Sequence, residues 1–141
     1  MIHACLCYFV TVHVATGDEL RPLFRAIRAV ETSGLAAPHR AVGDKGRSIG
    51  PYQITRAYWA DSGIRGEWTW CRGHAYSEKV MSAYWQRNCP DALRRRDSQV
   101  LARIHNGGPK GQTKRATWVY WRKVRNNLAD TMSSAPPRLA R

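Results

Sequence analysis

Residues 39–54, HRAVGDKGRSIGPYQI, place glycine at 43, 46 and 50 and proline at 51. No helix runs through such a stretch, because glycine costs about 1 kcal/mol and proline about 3 kcal/mol in a helix interior. Short β-like runs flank Gly43-Asp44-Lys45-Gly46, which predicts a hairpin turn there. On both sides the apolar residues recur at helical spacing instead. Asp18 is the expected cap of a first helix reaching about Ser33, with Pro22 in the first turn, where backbone N–H groups have no intrahelical partner. Leu20, Leu23, Phe24, Ile27 and Val30 form its buried stripe, and Gly34 stops it. A second helix spans Thr55 to Gly63, and residues 64–76 read as a loop. A third has Ser77 as cap, presents Val80, Met81, Tyr84 and Trp85 on one face, and ends before Pro90. Asp97 caps a fourth, with Val100, Leu101 and Ile104 inward, and Asn106-Gly107-Gly108-Pro109 breaks it. A fifth runs from about Thr117 to Leu128 with Trp118, Trp121, Val124 and Leu128 inward. The order is helix, small β turn, then four helices, so the expected class is α+β, mostly helical.

The 141 residues suit one domain, expected over 18–130, with a disordered tail at 131–141. Residues 1–17 are apolar over Ala4–Ala15 and read as a signal peptide with Ala15 and Gly17 near a cleavage point, or as an N-terminal extension or first strand. No Lys or Arg precedes Arg21, so the basic segment of a signal is missing. The expected location is secreted or periplasmic. No apolar run approaches the roughly 18–20 residues of a membrane span, which excludes an integral helical membrane protein.

The chain holds 23 Lys+Arg against 10 Asp+Glu, a net +13. That charge predicts attraction to a polyanion: nucleic acid, an acidic membrane surface or an anionic cell wall. It also makes carboxylates scarce. Two of them stand out. Glu31 closes an amphipathic helix, where apolar neighbours can desolvate its carboxyl, and desolvation raises a carboxyl pKa as a general acid requires. Asp44 sits on a polar, Gly-flanked turn, where it stays ionised. Carboxylates in opposed environments are what glycosidic cleavage needs. The plain alternatives are a solvated last-turn Glu and a turn-forming Asp.

The wider text carries more. Val30-Glu31-Thr32-Ser33-Gly34, Asp44, Gly50-Pro51-Tyr52-Gln53-Ile54, Tyr58-Trp59-Ala60-Asp61 and Ala102-Arg103-Ile104-His105-Asn106-Gly107-Gly108-Pro109-Lys110-Gly111 follow one another in order. A Trp/Tyr-rich last helix begins at Thr117. Over roughly residues 23–125 this resembles the invertebrate-type lysozymes, also called the destabilase family, whose segments read V-E-S-G, G-P-Y-Q-I, Y-W-x-D and R-x-H-N-G-G-P-x-G. The resemblance implies a lysozyme-like fold and hydrolysis of the β-1,4 bond between N-acetylmuramic acid and N-acetylglucosamine in peptidoglycan. Glu31 would protonate the leaving oxygen, and Asp44 would act as nucleophile or stabilise the oxocarbenium-like transition state. Carboxyls about 5 Å apart would retain configuration, and a wider gap would favour inversion. Tyr52, Gln53, Tyr58, Trp59, Asp61, Tyr84, His105 and Asn106 are the implied substrate contacts. Trp59 and Tyr84 are open to a core role, Asn106 to capping a helix end, and His105 to a structural role. The chemistry calls for no cofactor and no metal.

This chain departs from the family in places. Family members usually carry ten or more cysteines, whereas this chain has four. Cys71 and Cys89 would bridge in an oxidising compartment if their Cα atoms lie close enough. Thr32 is inserted within V-E-S-G, and the stretch from Asp44 to Gly50 is one residue shorter. Some members are credited with isopeptidase activity through a Ser/Lys pair. Thr55 stands at the lysine position here and the serine is displaced to Ser48 or replaced by Arg47, so no isopeptidase activity is expected from that pair. The competing readings are a lytic transglycosylase on the same fold, which would use Glu31 without Asp44, and a non-catalytic module that binds cell wall, chitin or nucleic acid. Arg94-Arg95-Arg96 favours the last, but no helix-turn-helix, zinc finger or RNA-recognition motif accompanies it, so no specific nucleic acid is expected.

Overall fold

A computed structural model describes residues 19–133. The expectations about Asp18, residues 1–17 and the tail from residue 134 onward lie outside the described residues. Helix α1 spans Arg21–Thr32, with Leu20 in the capping position and Pro22 in the first turn. Leu23, Phe24, Ala26 and Ile27 face the core. Ser33 and Gly34 then turn left-handed (φ 47° and 75°), which ends the helix.

The glycine-dense segment folds as a three-stranded antiparallel sheet, one strand more than the expected hairpin. Its strands are β1 (Val42–Gly43), β2 (Ser48–Ile49) and β3 (Ile54–Thr55), in that order. Val42 pairs with Ile49, and Ile49 with Ile54. The added strand follows from Gly50, whose φ of 76° opens the second turn. A methyl group built on Gly50 would overlap the Cys71 carbonyl oxygen, so only glycine lets the sheet approach the following loop this closely.

Helix α2 (Arg56–Ser62) starts at Thr55, whose hydroxyl accepts the Tyr58 N–H at 3.1 Å. The expected loop contains a 3-10 turn, Trp68–Arg72, that runs straight into α3 (His74–Asn88). The helix therefore begins three residues before the expected cap. Ser77 is buried inside its first turn and donates its hydroxyl to the Cys71 carbonyl at 2.7 Å. Pro90 does not merely end α3. It opens a separate helix, α4 (Pro90–Arg95), in the first-turn position proline tolerates. Asp97 caps α5 (Ser98–Gly107), accepting the Val100 N–H at 3.1 Å as expected. Helix α6 is Thr117–Ser133 and takes in residues 131–133, which had been expected in the tail.

The core gathers Leu23, Phe24 and Ile27 of α1, Tyr52 of the β2–β3 turn, Val80, Met81 and Trp85 of α3, Leu101 and Ile104 of α5, and Val124 of α6. Phe24 stacks on Trp85 with ring centroids 5.7 Å apart, and Tyr52 meets Phe24 edge-on. Trp118 is not inward as expected but 44% exposed. It lies 4.0 Å from the guanidinium of Arg103, which is 4% exposed and also donates to Thr117 Oγ1 and the Lys114 carbonyl. Satisfying this buried cation takes precedence over burying the indole.

The Cys71–Cys89 bridge does not form, and both are free thiols. They flank the 15 residues of α3. At about 1.5 Å per residue the helix holds them roughly 20 Å apart, against the about 7 Å limit for a disulfide. Burial pushes the Cys71 thiol up to about 12. Burial, with Asp97 nearby, pushes Cys89 up to about 11. Tyr84 is pushed up to about 12 by burial and then by the charge of Asp61. In the unfolded chain these groups lose protons from about pH 9 to 10. The unfolded state thus binds fewer protons above that point, and stability must fall with rising pH. The melting temperature is expected to hold up to about pH 9 and to drop steadily between about pH 9 and 12. A flat profile across that window, followed together with tyrosinate absorbance, would contradict this burial.

Candidate active site

A cleft of about 740 Å³ opens between the end of α1, the sheet, α2 and the end of α5. Glu31 enters it from the last turn of α1, its side chain only 17% exposed. Two groups hold its Oε1. The Tyr120 hydroxyl of α6 donates to it at 2.7 Å, and His105 Nε2 of α5 lies 3.4 Å away. The other imidazole nitrogen, Nδ1, is 3.3 Å from the Tyr58 hydroxyl. Burial, followed by the charges of neighbours including Glu31, holds Tyr58 well above the usual tyrosine range, so it stays a donor. One tautomer satisfies both contacts: the proton sits on Nε2 and points at Glu31, while Nδ1 accepts from Tyr58. Tyr58 in turn stacks on Tyr84, ring centroids 3.7 Å apart at 16°. Tyr120 is likewise held well above its usual range, by burial, then by the Glu31 charge and the hydrogen bond it gives to Glu31.

Asp44 lines the same cleft from the β1–β2 connection but is exposed. Its backbone is left-handed (φ 49°), as is that of Lys45 (φ 55°), and Asp tolerates that geometry better than most residues. The Arg47 Nε donates to the Asp44 carbonyl at 3.0 Å. Beneath it, Ser48 Oγ donates to Gln53 Oε1 at 2.9 Å, and Gln53 Nε2 donates to the Gly50 carbonyl at 2.8 Å. This pair presses so closely on Gly43 that a Cβ there would overlap both side chains. The turn is therefore clamped at its base while the Asp44 carboxylate makes no hydrogen bond or ion pair among the described residues. Asp61 accepts from Asn88 at 3.0 Å, faces Arg87 at 3.7 Å, and also lines the cleft. The arrangement sets one enclosed, hydrogen-bonded carboxyl and one solvated carboxylate along a single groove.

No family profile matches the chain. It is 40% identical over 79 residues to Lysozyme 1 of Crassostrea virginica, covering 55% of this chain and 43% of that protein. It is 34% identical over 76 residues to the invertebrate-type lysozyme of Ruditapes philippinarum, covering 52% and 56%. The chain thus spans about half the length of these curated relatives. The crystal structure of Tapes japonica lysozyme superposes with a TM-score of 0.63 at 30% identity, covering 74% of this chain and 87% of that one. The chain belongs to the invertebrate-type lysozyme family.

Within this lysozyme-family fold the residues singled out from sequence separate into two groups. Glu31, Asp44, Gln53, Tyr58, Asp61, Tyr84, His105 and Asn106 all line the cleft. Tyr84 does so mainly as a buried base beneath Tyr58, being 3% exposed. Asn106 is exposed within the last turn of α5 and does not cap it, since Gly108 takes the positive φ. Tyr52 and Trp59 are corrections. Tyr52 is fully buried, packed against Phe24, and hydrogen-bonds Glu78. Trp59 turns away from the cleft, and its indole N–H donates to the Tyr76 hydroxyl at 2.9 Å. Tyr52 lies in the turn between β2 and β3 with its ring in the core, and Trp59 packs half-buried against that core from α2. Tyr120 was missed. Its signal was the four-residue spacing Tyr120, Val124, Leu128, which puts all three on one face of α6.

Proposed function

We propose that this chain hydrolyses the β-1,4 bond between N-acetylmuramic acid and N-acetylglucosamine in peptidoglycan. The observation that carries the reading is the pairing of an enclosed Glu31, hydrogen-bonded by Tyr120 and next to His105, with an open Asp44 in one cleft. Glu31 protonates the leaving oxygen as general acid, and Asp44 attacks the anomeric carbon or stabilises its positive charge. Tyr120 and His105 fix the Glu31 carboxyl, so the proton is delivered along one direction. Asp61 and Asn106 offer hydrogen bonds to acetamido and hydroxyl groups, and Tyr58 offers an apolar edge. The +13 charge concentrates the protein on an anionic bacterial wall and makes activity fall at high salt. Such a substrate implies a secreted or periplasmic protein. No helix among the described residues is long and apolar enough to cross a membrane. In the arginine run, Arg94 pairs with Asp91 at 2.8 Å and Arg96 with Glu19 at 2.5 Å, which partly offsets its local positive charge.

Mass analysis of peptidoglycan fragments released by the purified protein tests the reading. Fragments ending in reducing muramic acid are expected. Anhydro-muramic ends would make the chain a lytic transglycosylase instead, and bound wall with no released fragment would make it a binding module.

A further inference from the structure

A second hollow, about 730 Å³, shares Asp44, Thr55 and Ala57 with the cleft and so continues it past the Asp44 turn. Its remaining wall is Gly46, Arg47, Arg56 and Trp68. The Arg56 guanidinium lies 4.9 Å from the Trp68 ring centroid, and the Trp68 indole N–H is anchored on the Ile54 carbonyl at 2.9 Å. Arg47 is held at its Nε by the Asp44 carbonyl. Both arginines are exposed, and neither is ion-paired among the described residues. Two guanidinium groups, each steadied by a neighbour without losing its charge, face one hollow that opens off the cleft.

Nothing in the chemistry of bond cleavage uses these arginines. A muramic acid residue, however, carries a peptide stem on its lactyl group, and that stem must leave the cleft beside the sugar. Accepting the muramidase reading above, we propose that this hollow receives the peptide stem of the muramic acid bound next to Asp44, with Arg47 and Arg56 pairing to its carboxylates. A guanidinium matches a carboxylate with two parallel hydrogen bonds, and the Trp68 face keeps Arg56 extended for that contact. The site selects stem-bearing, anionic glycan over neutral glycan of the same backbone.

The test compares kcat/KM on three purified glycan substrates: intact peptidoglycan, peptidoglycan whose stem carboxylates have been converted to amides, and strands freed of stems by an amidase, which keep the lactyl carboxylate. The wild-type protein is expected to act about fivefold less well on the amidated and the stem-free substrates than on the intact one. In the Arg47→Gln/Arg56→Gln variant the three values are expected to converge. Equal wild-type values on intact and amidated substrate would overturn the proposal without a mutant being made. So would a double variant that still discriminates, or stem-free strands that match intact ones, which would point to the lactyl carboxylate. Failure to hydrolyse any of the three would overturn the muramidase reading itself, and the proposal with it.

Discussion

Glu31→Gln is expected to lower the rate of wall lysis by about 10²–10⁴-fold, the span that a positioned general acid contributes. The substitution keeps the shape and leaves an oxygen that still accepts from the Tyr120 hydroxyl, so the local structure survives. What is lost is the transferable proton, and among the described residues no second carboxyl hydrogen-bonds Glu31. The melting temperature should barely move, which separates loss of chemistry from loss of fold. Undiminished clearing of a cell-wall suspension by a folded Glu31→Gln protein would sink the assignment. Asp44→Asn distinguishes the hydrolase from the transglycosylase in the same assay. A hydrolase needs the negative charge at the anomeric centre, whereas a transglycosylase would retain its rate.

Trp85→Ala is expected to cost about 4 kcal/mol, near the centre of the range for emptying a large aromatic site. Trp85 is fully buried, stacks on Phe24 of α1 and donates its indole N–H to the Leu101 carbonyl of α5 at 3.0 Å. Three helices converge on it, so no single one can move in to fill the space. For a domain of this size the melting temperature should fall by roughly 15 °C. Because α1 carries Glu31 and α5 carries His105, lytic activity should also be lost at a lower temperature than in the wild type. A shift of only a few degrees in thermal unfolding would show that the core closes over the gap and that the stacking described here matters little.

The parts of the fold written in short-range signals were legible before any coordinates. The apolar stripe of α1, the Asp97 cap and the glycine turn each depend on neighbours within a few residues, so the sequence carries them openly. Local signals placed Glu31 at a helix end and Asp44 on a turn, but their proposed roles came from the family resemblance, and what the structure adds is that both line one cleft. The misses share a different cause. Ser77 looks like a cap until the Cys71 carbonyl claims its hydroxyl, and Pro90 looks like a stop until a new helix starts on it. Trp118 looks like core until Arg103 is found buried beneath it. Tyr120 hydrogen-bonds a residue 89 positions away, a contact that no local pattern encodes. Tyr52 and Trp59 were placed by motif membership, and a motif does not say which of its members face the cleft and which support it.

The two unbridged thiols have a bearing on how the chain is made. Between residues 19 and 133 no covalent link ties distant parts together, so folding does not wait for an oxidant or for the reshuffling of wrong pairs, a process of seconds to hours. The search is left to helices that pack mainly on one another, the class of topology that folds fast. For residues 19–133, folding in a reducing or in an oxidising compartment would deliver the same native state.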